Sequence, residues 1–247
     1  MNGWFIDLEL GQEQVVRVNG DVDFMNSSEF SVLLARAVEK GPKVVVDLSQ
    51  AELLDSSALM ALSEAAKQAQ KAGVQVTLSG MSDGILRALQ ITGIAASLGL
   101  AMVKSERHRH HKDQPNLNRQ DWRITESVVL AEPEMIFHLR DLGVSAAQKS
   151  GLDPQSIEDV RLALTEALTQ ILRATASSEA NPNKICLRCM CCPSAFVMEV
   201  TGSSGRRKND AINSIGFKLI NALMDEVNAD TGEQGSEFRL LKWIRRE

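Results

Sequence analysis

The chain has 247 residues and a formal net charge of -5, with 44% hydrophobic and 24% charged residues. This composition predicts a globular protein with core material for two domains of about 100 residues, and its mild acidity argues against a nucleic-acid binder. The opening residues lack a basic and apolar leader, and no run approaches about 18 apolar residues. We therefore expect no signal peptide, no transmembrane helix, no membrane partner and a cytoplasmic location.

The first half of the chain alternates predicted strands with predicted helices. Apolar residues recur at the helical period in some segments, and β-branched runs favour strands in others. We predict strands at 14–18, 43–48 and 74–80 and helices at 27–40, 57–71 and 82–92. Gly20 and Gly73 are interpreted as turn signals, and Ser27 or Ser28 as the cap of the first helix. The alternation indicates an α/β fold with helices packed on a mostly parallel or mixed sheet.

A polar segment at 104–121 is predicted to be a linker between domains at 1–103 and 122–247. In the second domain we predict strands at 122–130, 184–192, 195–200 and 237–244, and helices from Pro133, from Pro154 to about Thr175, and over 211–227. Asp153 and Pro154 are typical of a helix start. The order of these elements favours an α+β fold with one antiparallel sheet.

The four cysteines fall within one predicted strand, at Cys186, Cys189, Cys191 and Cys192. This clustering is typical of a reducing compartment and not of a disulfide framework. Successive side chains of a strand point to opposite faces, so four thiols cannot converge on one ion, and we expect no metal site. The histidines within residues 108–111 are interpreted as part of a solvated linker.

The tripeptide Asp55-Ser56-Ser57 follows a buried strand and opens the next predicted helix. Either serine is a candidate cap for that helix, and an ordinary capping serine is the simplest interpretation. A helix N-terminus also presents free N–H groups and partial positive charge, so a phosphate would be tolerated there. The same phosphate would unseat a partner that docks on the bare hydroxyl.

Five landmarks in order resemble the STAS family of anti-sigma-factor antagonists over residues 12–100. They are Gly20-Asp21, the strand VVVDLS, the Asp55-Ser56-Ser57 turn, Gly73 and the sequence LQITGI. The resemblance implies that Ser57 accepts phosphate from a partner anti-sigma kinase, with support from Asp55. It also implies that the unphosphorylated form binds the kinase and frees a sigma factor. The family usually has glycine where this chain has Ala58.

Residues 122–247 resemble the anti-sigma-factor serine kinases, whose ATP-binding fold is shared with histidine kinases and gyrase. The resemblance is strongest in the long helix DVRLALTEALTQILRATA and in IGFKLINALMDEV. It implies a catalytic base at Glu166 and a Mg²⁺ ligand at Gln170, where the family has asparagine. The family's Asp-x-Gly motif falls at 200–205, which contains no carboxylate, and the nucleotide-loop glycines reduce to Gly202, Gly205 and Gly216.

These departures predict a kinase-like domain that has lost ATP use and needs no cofactor. The leading hypothesis is a bacterial partner-switching regulator controlled by phosphorylation at Ser57, with anti-sigma kinases or STAS proteins as partners. Because one chain carries both domains, their intramolecular docking is a further hypothesis. One alternative is an active ATP-dependent serine kinase that acts on its own or another STAS domain. Another is a STAS scaffold that is never phosphorylated.

Overall fold

The computed structural model describes residues 5–9, 11, 13–100, 121–175, 183–202, 214–232 and 235–244. The chain divides into two compact units, Met1–Glu106 and Arg107–Glu247. The predicted linker lies outside the described residues apart from Asp121. None of the helices in the described ranges is both long enough and apolar enough to cross a membrane.

In the residues that the structure describes, the first unit is a mixed sheet of four strands with helices, which confirms the predicted α/β class but adds one strand to the three predicted. Its elements in chain order are β1 (Phe5–Glu9), β2 (Gln14–Val22), α1 (Ser27–Lys40), β3 (Lys43–Leu54), α2 (Ser56–Ala72), β4 (Gln75–Ser79), α3 (Asp83–Thr92) and α4 (Ile94–Ser97). The strand order is β1-β2-β3-β4, and only the β1–β2 pair is antiparallel. The short β1 was not predicted. It becomes a strand by pairing with β2, from Phe5 opposite Asn19 to Glu9 opposite Val15.

Two local predictions in this unit are wrong. Gly20 lies within β2 and not in a turn, at a register shift in the β2–β3 pairing. Its φ of 78° favours glycine, and the irregularity allows β2 to continue to Val22. α1 begins after Asn26, and no side chain caps it. The Asn26 side chain instead accepts a hydrogen bond from the N–H of Asp23 and donates one to the carbonyl of Asp21.

The described residues of the second unit form one five-stranded antiparallel sheet and three helices, which confirms the predicted α+β class. Its elements are β5 (Arg123–Leu130), α5 (Pro133–Gln148), α6 (Pro154–Thr175), β6 (Lys184–Cys192), β7 (Ala195–Gly202), α7 (Ile215–Leu223), β8 (Glu226–Gly232) and β9 (Gly235–Trp243). The strand order is β5-β6-β7-β9-β8.

The predicted helix over 211–227 is wrong at its C-terminal end. α7 ends at Leu223, and residues 226 and 227 belong to β8. Asn228, Asp230 and the glycines that follow are poor helix formers, and pairing with β9 supplies the strand's hydrogen bonds. The start of α6 agrees with prediction, because the Asp153 carboxylate accepts a hydrogen bond of 2.8 Å from the N–H of Ser156.

α6 is the central helix of the second unit. Most of its residues are buried, including the polar side chains of Asp159, Thr165, Glu166 and Thr169. One buried ion pair joins this helix to the sheet. The ammonium of Lys242 in β9 lies 2.8 Å from Asp159 Oδ2 and donates to the carbonyl of Leu223 at 2.6 Å. The pair therefore connects α6, β9 and the end of α7 at one point.

Candidate phosphorylation and nucleotide sites

Asp55 is the centre of the serine turn and is fully buried. It caps α2, because its Oδ1 accepts hydrogen bonds from the N–H groups of Ser57 (2.8 Å) and Ala58 (3.0 Å). Its Oδ2 accepts a hydrogen bond of 3.0 Å from the N–H of Phe24, which lies between β2 and α1. The prediction that a serine caps this helix is therefore wrong. The Asp55 carboxylate therefore caps α2 and also binds the segment between β2 and α1.

The two serines of the turn differ in exposure. Ser56 is 7% exposed, whereas Ser57 is half-buried. The Ser57 hydroxyl donates a hydrogen bond to Asp55 Oδ1, the same oxygen that caps the helix. An enzyme that modifies this turn can therefore reach Ser57 more readily than Ser56, as the resemblance implies.

Two exposed methionines belong to the segments joined at this turn, and sequence reasoning did not find them. Met60 follows Ser57 by three residues, which is nearly one helical turn, and is 57% exposed. Met25 follows Phe24, the residue held by Asp55, and is 41% exposed. Methionine is frequent at adaptable protein-binding surfaces. The available signal was their sequence position, three residues after Ser57 and four residues after Asp21.

The segment that carries Met25 is held by a network of local hydrogen bonds. The N–H of Met25 donates to Asp23 Oδ1 at 3.0 Å, and the N–H of Asp23 donates to Asn26 Oδ1 at 2.9 Å. With the bond from Phe24 to Asp55, these contacts determine the position of Met25 relative to the start of α2. The surface around Ser57 is therefore preformed.

In the second unit, Glu166 and Gln170 lie one turn apart on α6 and face the start of α7. Glu166 is 1% exposed. A Cβ atom built on Gly216 would overlap Glu166 Oε2 and would lie 3.0 Å from Gln170 Nε2. Neither amide atom of Gln170 is accessible, and neither has a hydrogen-bond partner in the described part of the chain. The backbone of α7 therefore lies directly against the two side chains that resemble a base and a metal ligand.

Of the two other predicted nucleotide-loop glycines, the structure describes Gly202. Gly202 is the last residue of β7, and a Cβ atom there would lie 2.5 Å from Ile171 and 2.9 Å from Thr175. It allows close packing of β7 on α6. Gly205 lies outside the described residues. The segment 200–205 contains no carboxylate to bind an adenine amino group, and α7 contacts Glu166 closely.

All four cysteines lie in one strand, β6, as predicted, and all four are free thiols. Cys189 and Cys191 are buried, and Cys186 is half-buried. Burial raises the pKa of Cys189 to about 12, because a thiolate is poorly solvated there. No group of three or more His, Cys, Asp or Glu residues suited to a metal ion occurs in the described ranges.

Comparison with known proteins identifies both units. The STAS domain model matches residues 9–108, and the histidine kinase-like ATPase domain model matches residues 129–242. The STAS domain of an antisigma-factor antagonist from Rhodobacter sphaeroides is 26% identical, over 32% of this chain and 87% of its own, with a TM-score of 0.27. An anti-sigma factor antagonist from Mycobacterium paratuberculosis is 23% identical, over 42% and 89%, with a TM-score of 0.35.

A third solved structure, the histidine kinase AdeS from Acinetobacter baumannii, is 11% identical over 76% of this chain and 85% of its own, with a TM-score of 0.29. The two domain matches confirm the resemblances that were inferred from sequence motifs. The chain therefore contains a STAS domain at residues 9–108 and a histidine kinase-like ATPase domain at residues 129–242.

Proposed function

We propose that this protein is a partner-switching regulator whose STAS domain binds a protein partner until Ser57 is phosphorylated. The observation that carries the proposal is the difference in exposure between Ser56 and Ser57. Ser57 is half-buried and presents its hydroxyl to Asp55, whereas Ser56 is buried. A modifying enzyme therefore has one accessible hydroxyl in this turn, at the position where the STAS resemblance has its phosphate acceptor.

The electrostatic consequence of a phosphate at Ser57 follows from the role of Asp55. Phosphorylation removes the hydroxyl proton that Asp55 accepts and adds a charge of about -2. The N–H groups of Ser57 and Ala58 already bind the Asp55 carboxylate, so the phosphate competes with a buried anion for them. We expect the phosphate to point outward instead, between Met25 and Met60.

That position explains how the switch acts on a partner. Met25 and Met60 supply apolar contact area beside the unmodified hydroxyl. A doubly charged group between them has to lose its water when a partner docks, and this desolvation is costly without a matching cation. The partner that we propose is an anti-sigma factor of the serine-kinase type, as the STAS resemblance implies.

We further propose that the ATPase-type domain has lost ATP use and serves in protein binding. The support is the close packing of α7 against Glu166 and Gln170 of α6. A general base must reach the proton that it abstracts, yet Glu166 is 1% exposed and Gly216 lies directly against it. Gln170 is longer than asparagine by one methylene, and octahedral Mg²⁺ tolerates little displacement of a ligand.

Two measurements test these proposals separately. Peptide mapping of the protein recovered from its own cells should find phosphate on Ser57, and Ser57→Ala should abolish it while Ser56→Ala keeps it. Phosphate on Ser56, or none under any growth condition, would contradict the switch and favour a scaffold. Calorimetry with Mg²⁺-ATP on the full chain should detect no binding up to millimolar nucleotide. Micromolar binding would instead favour the active kinase.

A further inference from the structure

Two methionines of the STAS domain differ from the other described methionines in their exposure to solvent. Seven of the nine methionines of the chain lie in described residues. Among these seven, only Met60 and Met25 are exposed, at 57% and 41%. The other five are half-buried or buried, at Met81, Met135, Met190, Met198 and Met224. An oxidant in solution therefore reaches two methionine side chains in the described part of the chain most readily.

Both exposed methionines belong to the two segments that Asp55 joins. Met60 lies on α2, which Asp55 caps, and it is the only large apolar side chain that this helix exposes. Met25 directly follows Phe24, whose N–H donates a hydrogen bond to Asp55, and its own N–H donates to Asp23 Oδ1. The core of the unit does not bury these two side chains. Their apolar surface is therefore available to a partner of the STAS domain.

Oxidation changes such a surface from apolar to polar. Hydrogen peroxide transfers one oxygen atom to the thioether sulfur: the O–O bond breaks, an S–O bond forms, the sulfur loses two electrons, and water leaves. The product, methionine sulfoxide, is a polar and chiral side chain that disrupts methionine-rich interfaces. Methionine sulfoxide reductases use two electrons from a dithiol to remove the oxygen as water, so the change is reversible.

We propose that Met25 and Met60 form a reversible oxidation site, at which a peroxide releases the partner of the STAS domain without phosphate on Ser57. This inference rests on the proposed partner switching, because it uses the same docking surface. Sulfoxide at the two methionines and phosphate at Ser57 act in the same direction. Each adds a polar group that has to lose its water when a partner docks. The regulator therefore has a redox input beside the phosphorylation input.

Peptide mass spectrometry of the full chain after mild peroxide treatment tests the site itself. Trypsin releases each exposed methionine in its own peptide, residues 18–36 and 44–67, and the second peptide also contains Ser57. Both methionines should form sulfoxide at least about ten times faster than Met198, which is fully buried. Equal rates at the exposed and buried positions would overturn the proposal.

The rate of Ser57 phosphorylation measures whether oxidation blocks docking. A desalted extract of the protein's own cells with Mg²⁺-ATP supplies the kinase. The full chain is added unoxidised, oxidised, or oxidised and then repaired with methionine sulfoxide reductase. Oxidation should slow phosphorylation at least about tenfold, because burial of one methionine side chain on docking contributes about that factor or more. Repair should restore the rate. An oxidised chain that is phosphorylated as fast as the unoxidised chain would contradict the proposal.

Leucine variants separate the two methionines from oxidation elsewhere, and each variant is compared with its own unoxidised form. Met25→Leu with Met60→Leu keeps the side-chain volume and all four cysteines but removes both exposed sulfurs, so peroxide should slow its phosphorylation less than about twofold. Met135→Leu with Met190→Leu is the matched control and should stay as sensitive as the wild type. Equal losses in both double variants would refute the site. No phosphate on Ser57 of the unoxidised wild type would instead refute the proposed function, and this inference with it.

Discussion

Replacement of Asp55 by alanine should destabilise the STAS domain more than the loss of an ordinary helix cap. Removing an N-cap side chain costs about 1 kcal/mol. The N–H of Phe24 would also lose its acceptor, and a polar group left unpaired in a partly buried site costs about 1–3 kcal/mol more. The half-buried Ser57 hydroxyl can turn to water and adds little. The expected loss is therefore about 2–4 kcal/mol.

Native-state hydrogen exchange measured by peptide mass spectrometry resolves this loss within the full chain. Amides of β3 and α2 should exchange about 30 to 1,000 times faster in Asp55→Ala, the factor that corresponds to 2–4 kcal/mol. Ser82→Ala is the matched control, because Ser82 caps α3 through a single hydrogen bond of 3.3 Å to the N–H of Ile85. Equal effects of the two variants would refute the argument that Asp55 binds two segments at once.

Three further predictions concern the ATPase-type unit. Lys242→Met should lower the free energy of unfolding by about 3–5 kcal/mol in denaturant titration, since it leaves the buried carboxylate of Asp159 uncompensated, and adding Asp159→Asn should recover part of the loss. Cys189, whose pKa burial raises to about 12, should react with iodoacetamide at pH 8 far more slowly than half-buried Cys186. Burial raises the pKa of Asp153, but hydrogen bonds from the first turn of α6 bring it below its usual value. Its contribution to stability is therefore present above about pH 4 and lost as the pH falls through the folded-state pKa, so Asp153→Asn should reduce stability at pH 5 more than at pH 2.5.

Much of the fold could be predicted because local patterns and tertiary packing agree. The helix at 27–40 and the helix from Pro154 to Thr175 have the predicted bounds, since apolar periodicity and strong start or stop residues coincide there. The predicted helix over 211–227 failed at its end because pairing with β9 overrode a weak local preference. β1 was missed for the same reason, as a five-residue strand depends on the partner beside it.

The candidate sites, like the fold, could be predicted from the sequence only in part. Sequence motifs were sufficient to identify a STAS domain and an ATPase-type domain, because both depend on residues at fixed spacings along the chain. They also singled out Ser57, Glu166 and Gln170. The contact of Glu166 and Gln170 with Gly216 joins segments distant in sequence, and no local pattern encodes that.

The sequence by itself determined the two families, the element order of most of the chain and the absence of a carboxylate at 200–205. Only the tertiary structure decided that Asp55, which caps α2 through one oxygen, also binds Phe24, 31 residues earlier, through the other. It also decided that Gly216 lies against Glu166, since that contact joins α6 and α7, which are distant in sequence. Side-chain burial and hydrogen-bond partners are set by the packing of distant segments, and these quantities decide what each site can do.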